Sequence, residues 1–443
     1  MFLRSFAART SLPGRPEKAP IRPLCQERRG DRPERPAGGL FRTPASVYSS
    51  AMTVIADSAE LAAFCDSQAS AGFLAIDTEF LRDTTYWPKL CLVQIGAADR
   101  SVAIDTLAEG IDLAPLGRLM ADTSVLKVFH SARQDMEIFF HLFGALPAPI
   151  FDTQVAAMVC GFGESVSYDR LVSQVVGKPL DKASRFADWS HRPLTQRQLD
   201  YALADVIYLR PIYERLSGEL EKSGRAAWLS EEMAVLTTPE TYELDPEEAW
   251  RRLKSRSNDR RFLAVLKALA AWREVEAQRR DVPRNRIVRD EQLLDIAAHT
   301  PQDAKALART RGLSRDFAEG RMGRGILGAV KAGLEVPNKE RPQPPPRHER
   351  VAGIGPVVDL LKVLLKAKCE AHGVAQKLVA SVADLEQIAA DDRARVPALG
   401  GWRHEIFGAD ALRLKRGELA LTVKGREVQV TPTKSESPQR RSA

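Results

Sequence analysis

The 443 residues exceed what one ordinary core holds, so two or three domains are expected. A chain that is 44% hydrophobic and 28% charged is globular, and no apolar run approaches the roughly 18 residues needed to cross a bilayer. The net charge of +7 favours a polyanionic partner, although a generally basic proteome gives the same balance.

Residues 1–51 are rich in Arg and Pro and lack hydrophobic periodicity, so a disordered basic extension is expected. The opening Met1-Phe2-Leu3-Arg4-Ser5-Phe6 also fits the start of an organelle transit peptide, and a start codon placed too early fits as well. From Thr53 strands and helices alternate. A helix is expected over 59–69, a strand over 72–77, strands over 90–95 and 102–104, a helix over 113–120 and a buried strand over 125–129. A helix over 136–143, a brief strand at 150–152 and helices to 159 and over 171–176 follow. Thr195 with Gln198 forms a capping-box pattern that opens a long helix. The alternation predicts a mixed α/β sheet domain over residues 52–222.

A linker is expected over 223–257. Residues 258–336 read as all helix, and 337–351 contain Arg341-Pro342-Gln343-Pro344-Pro345-Pro346-Arg347, a stiff exposed linker. Residues 352–420 are helical again and repeat the previous segment. A constant offset pairs Val282 with Val374, Leu293 with Leu385, Ile296 with Ile388 and Ala297 with Ala389. Residues 421–443 are polar and expected to be a disordered tail. The five cysteines, Cys25, Cys65, Cys91, Cys160 and Cys369, are scattered with no zinc-like spacing, which favours reduced thiols in a cytoplasmic setting.

Three acidic signatures stand out: Asp77-Thr78-Glu79-Phe80, His130-Ser131-Ala132-Arg133-Gln134-Asp135, and Tyr201-Ala202-Leu203-Ala204-Asp205. Asp77 and Glu79, two apart on a strand, share one face of the sheet. Crowded carboxylates repel, so divalent cations are their natural partners. Tyr201 and Asp205 share one helical face. Taken singly, each has an ordinary structural reading: a common Asp-x-Glu, a first-turn acid favoured by the helix dipole, a surface Tyr/Asp pair. Together they offer four carboxylates and a phenol, a set suited to two divalent ions and an activated water.

In this order the motifs resemble the DEDD superfamily of 3′–5′ exonucleases, in the subgroup with Tyr in the third motif, and within it the ribonuclease D family. Tyr86-Trp87-Pro88-Lys89-Leu90-Cys91-Leu92-Val93-Gln94-Ile95 looks like the stretch after the family's first motif. Asp188-Trp189-Ser190-His191-Arg192-Pro193-Leu194 is similar to its approach to the third. The resemblance implies an α/β ribonuclease H-like exonuclease domain, a mixed sheet flanked by helices, followed by two all-α HRDC-type helical domains at 258–336 and 352–420. It implies a 3′–5′ exoribonuclease with Asp77, Glu79, Asp135, Tyr201 and Asp205 as catalytic residues, the four acids binding two Mg²⁺ or Mn²⁺ ions. The partner it implies is RNA, tRNA precursors with 3′ extensions among them. The lack of a long apolar run predicts no membrane partner, and one complete site per chain with several domains predicts a monomer. Phe80 and Leu81 would wedge against the terminal base, Gln94 and His130 would line the same pocket, and each also reads as a core residue. Arg279, Arg280, Arg284, Arg286 and Arg289 are candidate phosphate contacts or simply a solvated face. A DNA exonuclease on the same fold, or a non-catalytic nucleic-acid binder, stays open at this point, because metal chemistry does not read the 2′-hydroxyl.

Overall fold

The computed structural model describes residues 53–181, 184–255, 257–344 and 351–433. The expectations for residues 1–51, for the Pro-rich stretch 345–350 and for the tail beyond 433 lie outside the described residues.

The chain opens with β1 (Thr53–Ile55), α1 (Ser58–Ser67), β2 (Phe73–Leu81), β3 (Lys89–Gly96) and β4 (Ser101–Asp105). It continues through α2 (Ala114–Ala121), β5 (Leu126–Phe129), α3 (Arg133–Phe143), β6 (Ile150–Asp152), α4 (Thr153–Val159), α5 (Tyr168–Val175) and α6 (Gln196–Ser223). The six strands form one mixed sheet in the order β1-β4-β3-β2-β5-β6. The β2/β3 and β3/β4 pairs are antiparallel, and the β1/β4, β2/β5 and β5/β6 pairs are parallel. Thr195 and Gln198 close the expected capping box of α6. This helix packs across β2, β3 and β4. The approach is close at Gly96, where a Cβ would sit 2.9 Å from the Val206 carbonyl oxygen, so only glycine lets the helix come down beside Asp205.

The strand expected over 72–77 runs on to Leu81, which places the first acidic pair inside the strand rather than at its end. Pairing with β3 carries it through, with a register shift at Glu79/Phe80. Such a bulge kinks the strand and re-aims side chains next to it.

The expected linker at 223–257 is a correction. It carries α7 (Ala226–Leu236) and two short 3₁₀ turns, Pro239–Thr241 and Pro246–Arg252. Its apolar residues find partners far along the chain: Trp228 stacks on Trp402 with centroids 4.4 Å apart.

The first helical module comprises α8 (Arg260–Arg280), α9 (Arg284–Ile287), α10 (Asp290–His299), α11 (Ala304–Leu307), α12 (Arg315–Glu319) and α13 (Arg321–Glu335). The second comprises α14 (Gly355–His372), α15 (Gln376–Val379), α16 (Val382–Ala390), α17 (Gly401–Arg403) and α18 (Ala409–Lys415), with a π turn at His404–Gly408. Under the offset seen in the sequence, α9 falls on α15 and the left-handed Asp281 falls on the left-handed Gly373. Leu293 and Leu385, Ile296 and Ile388 are buried in both modules.

The modules meet the nuclease differently. The second shares its hydrophobic core: Leu361, Leu364, Trp402 and Phe407 join one cluster with Leu209, Ile212 and Leu229. Arg403 pairs with Glu231 and Glu232 of α7. The first has a core of its own, entered from the nuclease by Tyr86. A further correction concerns 421–443: β7 (Leu419–Lys424) and β8 (Glu427–Pro432) form a hairpin where a disordered tail was expected. Among the described residues no helix is long and apolar enough to cross a membrane.

Candidate active site

Asp77 and Glu79 project from the face of β2 that α6 covers, and α6 brings Asp205 down onto them. One carboxylate oxygen from each of Asp77, Glu79 and Asp205 lies within 4.8 Å of the others. Asp135 enters from α3, the helix that leaves β5 beside β2. Its buried carboxylate accepts a hydrogen bond from the Thr78 hydroxyl. Three of the four expected acids therefore meet directly, and the fourth stands beside them, close enough for its charge to bear on Glu79.

Electrostatics reports the crowding. Burial and then the Asp205 charge push the Asp77 carboxyl well above the usual carboxylate range. Burial, followed by Asp77, Asp205 and Asp135, pushes Glu79 up to about 10. Asp135 is raised by burial and by Asp77. Burial lifts Asp205 to about 7 against a hydrogen bond from the Tyr201 hydroxyl that holds it down. Among the described residues no Lys or Arg forms an ion pair with any of these acids. Buried carboxylates neutralise by holding protons or by binding cations, and an all-oxygen donor set suits hard divalent ions. The residues present fit such ions.

Tyr201 sits one turn before Asp205, its ring 6.0 Å from that of buried Trp189. Burial and then the charges of Asp205, Glu79 and Asp77 push its hydroxyl far above the ordinary phenol range, so it stays a hydrogen-bond donor. The segment before α6 is pinned by Arg192, whose guanidinium forks onto Asp105 at 2.7 and 2.7 Å and donates to the Cys91 and Trp189 carbonyls. That explains physically why an Asp-Trp-x-x-Arg-Pro run precedes the third motif.

The expected substrate contacts divide. Phe80 is half-buried beside the bulge and Leu81 packs against the Cys91/Leu92/Trp189 cluster. Gln94 is corrected: it is 0% exposed and leaves no surface for RNA. It stands directly opposite Asp77 in the β2/β3 register, with neither amide atom paired. His130 turns to the Thr153 hydroxyl at 3.0 Å and lies against the Tyr168 ring, 5.3 Å away, a core arrangement.

Residues outside the three motifs support the site. Asp152 accepts from the Ser131 and Ala132 amides at 3.0 and 2.8 Å, fixing the turn that launches α3 while also capping α4. Ser131 there adopts φ +66. Tyr168 donates to the Asp205 carbonyl from beneath. The cap could have been read from Asp152-Thr153-Gln154, whereas nothing local marks Tyr168. Phe186 is 89% exposed, its ring 5.4 Å from the Arg185 guanidinium, and that positive charge is felt at Tyr201.

Comparison with known proteins agrees with this geometry. The family profile described as 3′-5′ exonuclease matches residues 52–221, and that of the HRDC domain matches 262–330. A ribonuclease D from Granulibacter bethesdensis is 54% identical over 382 residues, covering 86% of this chain and 97% of its own. One from Nitrobacter hamburgensis is 51% identical over 380 residues, covering 86% and 99%. The crystal structure of Escherichia coli RNase D, an exoribonuclease involved in structured RNA processing, superposes with a TM-score of 0.72 at 32% identity, covering 83% of this chain and 98% of that one.

Proposed function

Because the chain belongs to the ribonuclease D family, we propose that Asp77, Glu79, Asp135 and Asp205 hold two divalent ions, Mg²⁺ or Mn²⁺, and that Tyr201 orients the attacking water. The activity is that of a 3′–5′ exoribonuclease, a hydrolase that shortens RNA from its 3′ end. When bound, such ions supply a nucleophile at neutral pH and neutralise charge on the phosphodiester as it is displaced. The chain's own work is placement. The rigid strand face holds Asp77 and Glu79 against their mutual repulsion. The capped α6 carries Tyr201 and Asp205 to the same point, and Trp189 behind the phenol limits its rotation. The Tyr201 hydroxyl, donating to Asp205, can pass its hydrogen bond to water and set the line of attack. Arg185 and Phe186 offer a cation and a stacking face to the RNA end.

The single observation that carries this reading is the meeting of Asp77, Glu79 and Asp205 within 4.8 Å, with no cationic side chain among the described residues paired to them. Processing of tRNA precursors is the family-like role, and one full set of acids per chain supports a monomer. Cys65, Cys91, Cys160 and Cys369 are free thiols, which supports a reducing cytoplasmic setting. The test incubates the protein with a 3′-extended tRNA and a matching single-stranded DNA, with Mg²⁺ and then with EDTA. A ladder shortening the RNA from its 3′ end, abolished by EDTA, is the expected result. Cleavage of DNA alone, or cleavage that survives EDTA, overturns the proposal.

A further inference from the structure

The loop that follows the acidic strand is gripped from outside the nuclease. Residues 82–88 join β2 to β3 directly after Asp77, Glu79 and Phe80. On the nuclease side Arg82 forks onto Glu137 of α3 at 2.7 and 2.8 Å. The Trp87 ring stacks on His141, also of α3, with centroids 4.0 Å apart and planes 10° from parallel. The same loop thus ties β2, which carries Asp77 and Glu79, to α3, which carries Asp135.

On its other side the loop belongs to the first helical module. Asp281, which ends α8 at φ +48, accepts from the backbone N–H groups of both Tyr86 and Trp87 at 3.0 Å. The Tyr86 hydroxyl donates to Glu274, which is 1% exposed, and accepts from Gln278 at 3.1 Å and Arg284 at 2.9 Å. Arg284 closes the set with two bonds to Glu274, at 2.5 and 2.6 Å, and lies over the Tyr86 ring. Tyr86 is buried not in the nuclease core but in the core of the module, beside Trp250 and Leu253.

We propose that this contact is a latch through which the first helical module sets the catalytic geometry, with Tyr86 and Asp281 as positioning residues for Asp77, Glu79 and Asp135. The inference rests on the metal-site reading above. A polar contact of this kind fixes direction where an apolar one would slide. Charge-assisted bonds to Glu274 and Asp281 define where the loop sits, and a displacement of about 1 Å at a reacting centre costs up to about a hundredfold in rate. The module therefore acts on turnover even for a substrate that never touches it.

Tyr86→Phe and Asp281→Ala test this on a trinucleotide, too short to leave the nuclease site, alongside a 3′-extended tRNA. In each variant kcat on the trinucleotide should fall about tenfold, its KM should stay within about twofold of the parent value, and the Mg²⁺ concentration for half-maximal rate should rise. Leu293→Ala, in the same module core as Tyr86 but with no part in the polar contacts to the loop, is the control for plain destabilisation. Unchanged trinucleotide kcat with a raised KM for tRNA alone overturns the latch, and so does an equal loss of kcat in Leu293→Ala. If either latch variant fails to fold, Arg284→Lys replaces it, keeping the charge and losing the fork, and the same two outcomes decide. Persistent turnover in Asp77→Ala would overturn the metal-site reading instead, and is a separate result.

Discussion

Asp77, Glu79 and Asp205 crowd three carboxylates together and, among the described residues, none is ion-paired to a Lys or Arg, whereas Arg279, Arg280 and Arg284, a run as dense and of opposite sign, each close on a carboxylate of their own module. Arg279 and Arg280 both reach Glu276 at 2.6 Å, and Arg284 reaches Glu274 at 2.5 Å. In sequence both stretches are simply charged. In the fold one is left unsatisfied by the protein and the other is satisfied by it. A chain that tolerates buried like charges, and raises their pKa values to do so, leaves room for a ligand of the other sign. A charge run that supplies its own counter-ions is mostly structure.

The largest effect expected from this contrast is at the acids. Asp77→Ala removes a carboxylate from the proposed metal site, and turnover should fall by about a thousandfold or more, the scale on which electrostatic stabilisation of a displacement operates. RNA binding in EDTA should stay near the parent value by filter retention. Loss of binding in step with activity would mean Asp77 supports the fold and not the chemistry. Tyr201→Phe comes next. It deletes one hydroxyl and keeps the packing on Trp189, so kcat should drop by about a hundredfold with the Mg²⁺ midpoint unchanged. Near-normal turnover would remove the role given to the phenol.

The two charged regions should also show opposite pH slopes. Without metal, Asp205 keeps its proton up to about 7 and Glu79 up to about 10, both above the values of the unfolded chain. The folded state then binds more protons than the unfolded one, and stability contributed at low pH is lost as pH rises from about 4 through those values. Glu274 and Glu276 are shifted the other way. Burial alone would raise Glu274, but the bonds from Arg284 and Tyr86 outweigh it. Arg279 leads the lowering at Glu276. Their contribution is present at neutral pH and is lost as pH falls. Melting in EDTA between pH 5 and 9 should therefore show a midpoint that declines as pH rises, with the decline reduced in Glu79→Gln and abolished by Mg²⁺. A slope that survives Mg²⁺ would place the titrating groups elsewhere.

Much of this site was legible because its chemistry obeys local periods. Two residues on a strand put Asp77 and Glu79 on one face, four on a helix put Tyr201 and Asp205 on another, and Thr195 with Gln198 announced where that helix begins. The offset pairing Val282 with Val374 was legible for the same reason, since each module repeats one helical pattern. What stayed hidden depends on partners distant in the chain. Trp228, Leu229 and Met233 looked like linker residues because part of their core comes from Trp402 and its neighbours. The hairpin of β7 and β8 was masked by its charged composition, though Leu421, Val423, Val428 and Val430 sit on its strands. For Gln94 the family resemblance offers a pocket role and the apolar strand around it a core role, and only its burial in the fold favours the second. The Arg run stays open in sequence between phosphate contacts and a solvated face for the same reason, since Glu274 and Glu276 are in plain view but their direction is not.

The smallest effect separates the arginines from one another. Among the described residues Arg286 and Arg289 are exposed with no carboxylate at ion-pair distance, so their charge remains available to phosphates, while that of Arg279 and Arg280 is taken up by Glu276. Each arginine–phosphate pair removed should lower the salt dependence of binding by about one counter-ion. Arg286→Ala with Arg289→Ala should raise KM for a structured RNA about threefold and reduce the slope of log affinity against log salt by about two. Arg279→Ala with Arg280→Ala should leave that slope unchanged, because a residue already neutralised releases no counter-ion when it is removed. Equal slopes for the two pairs would mean that Glu276 does not hold its arginines once RNA arrives, and that the run acts as one undivided basic surface.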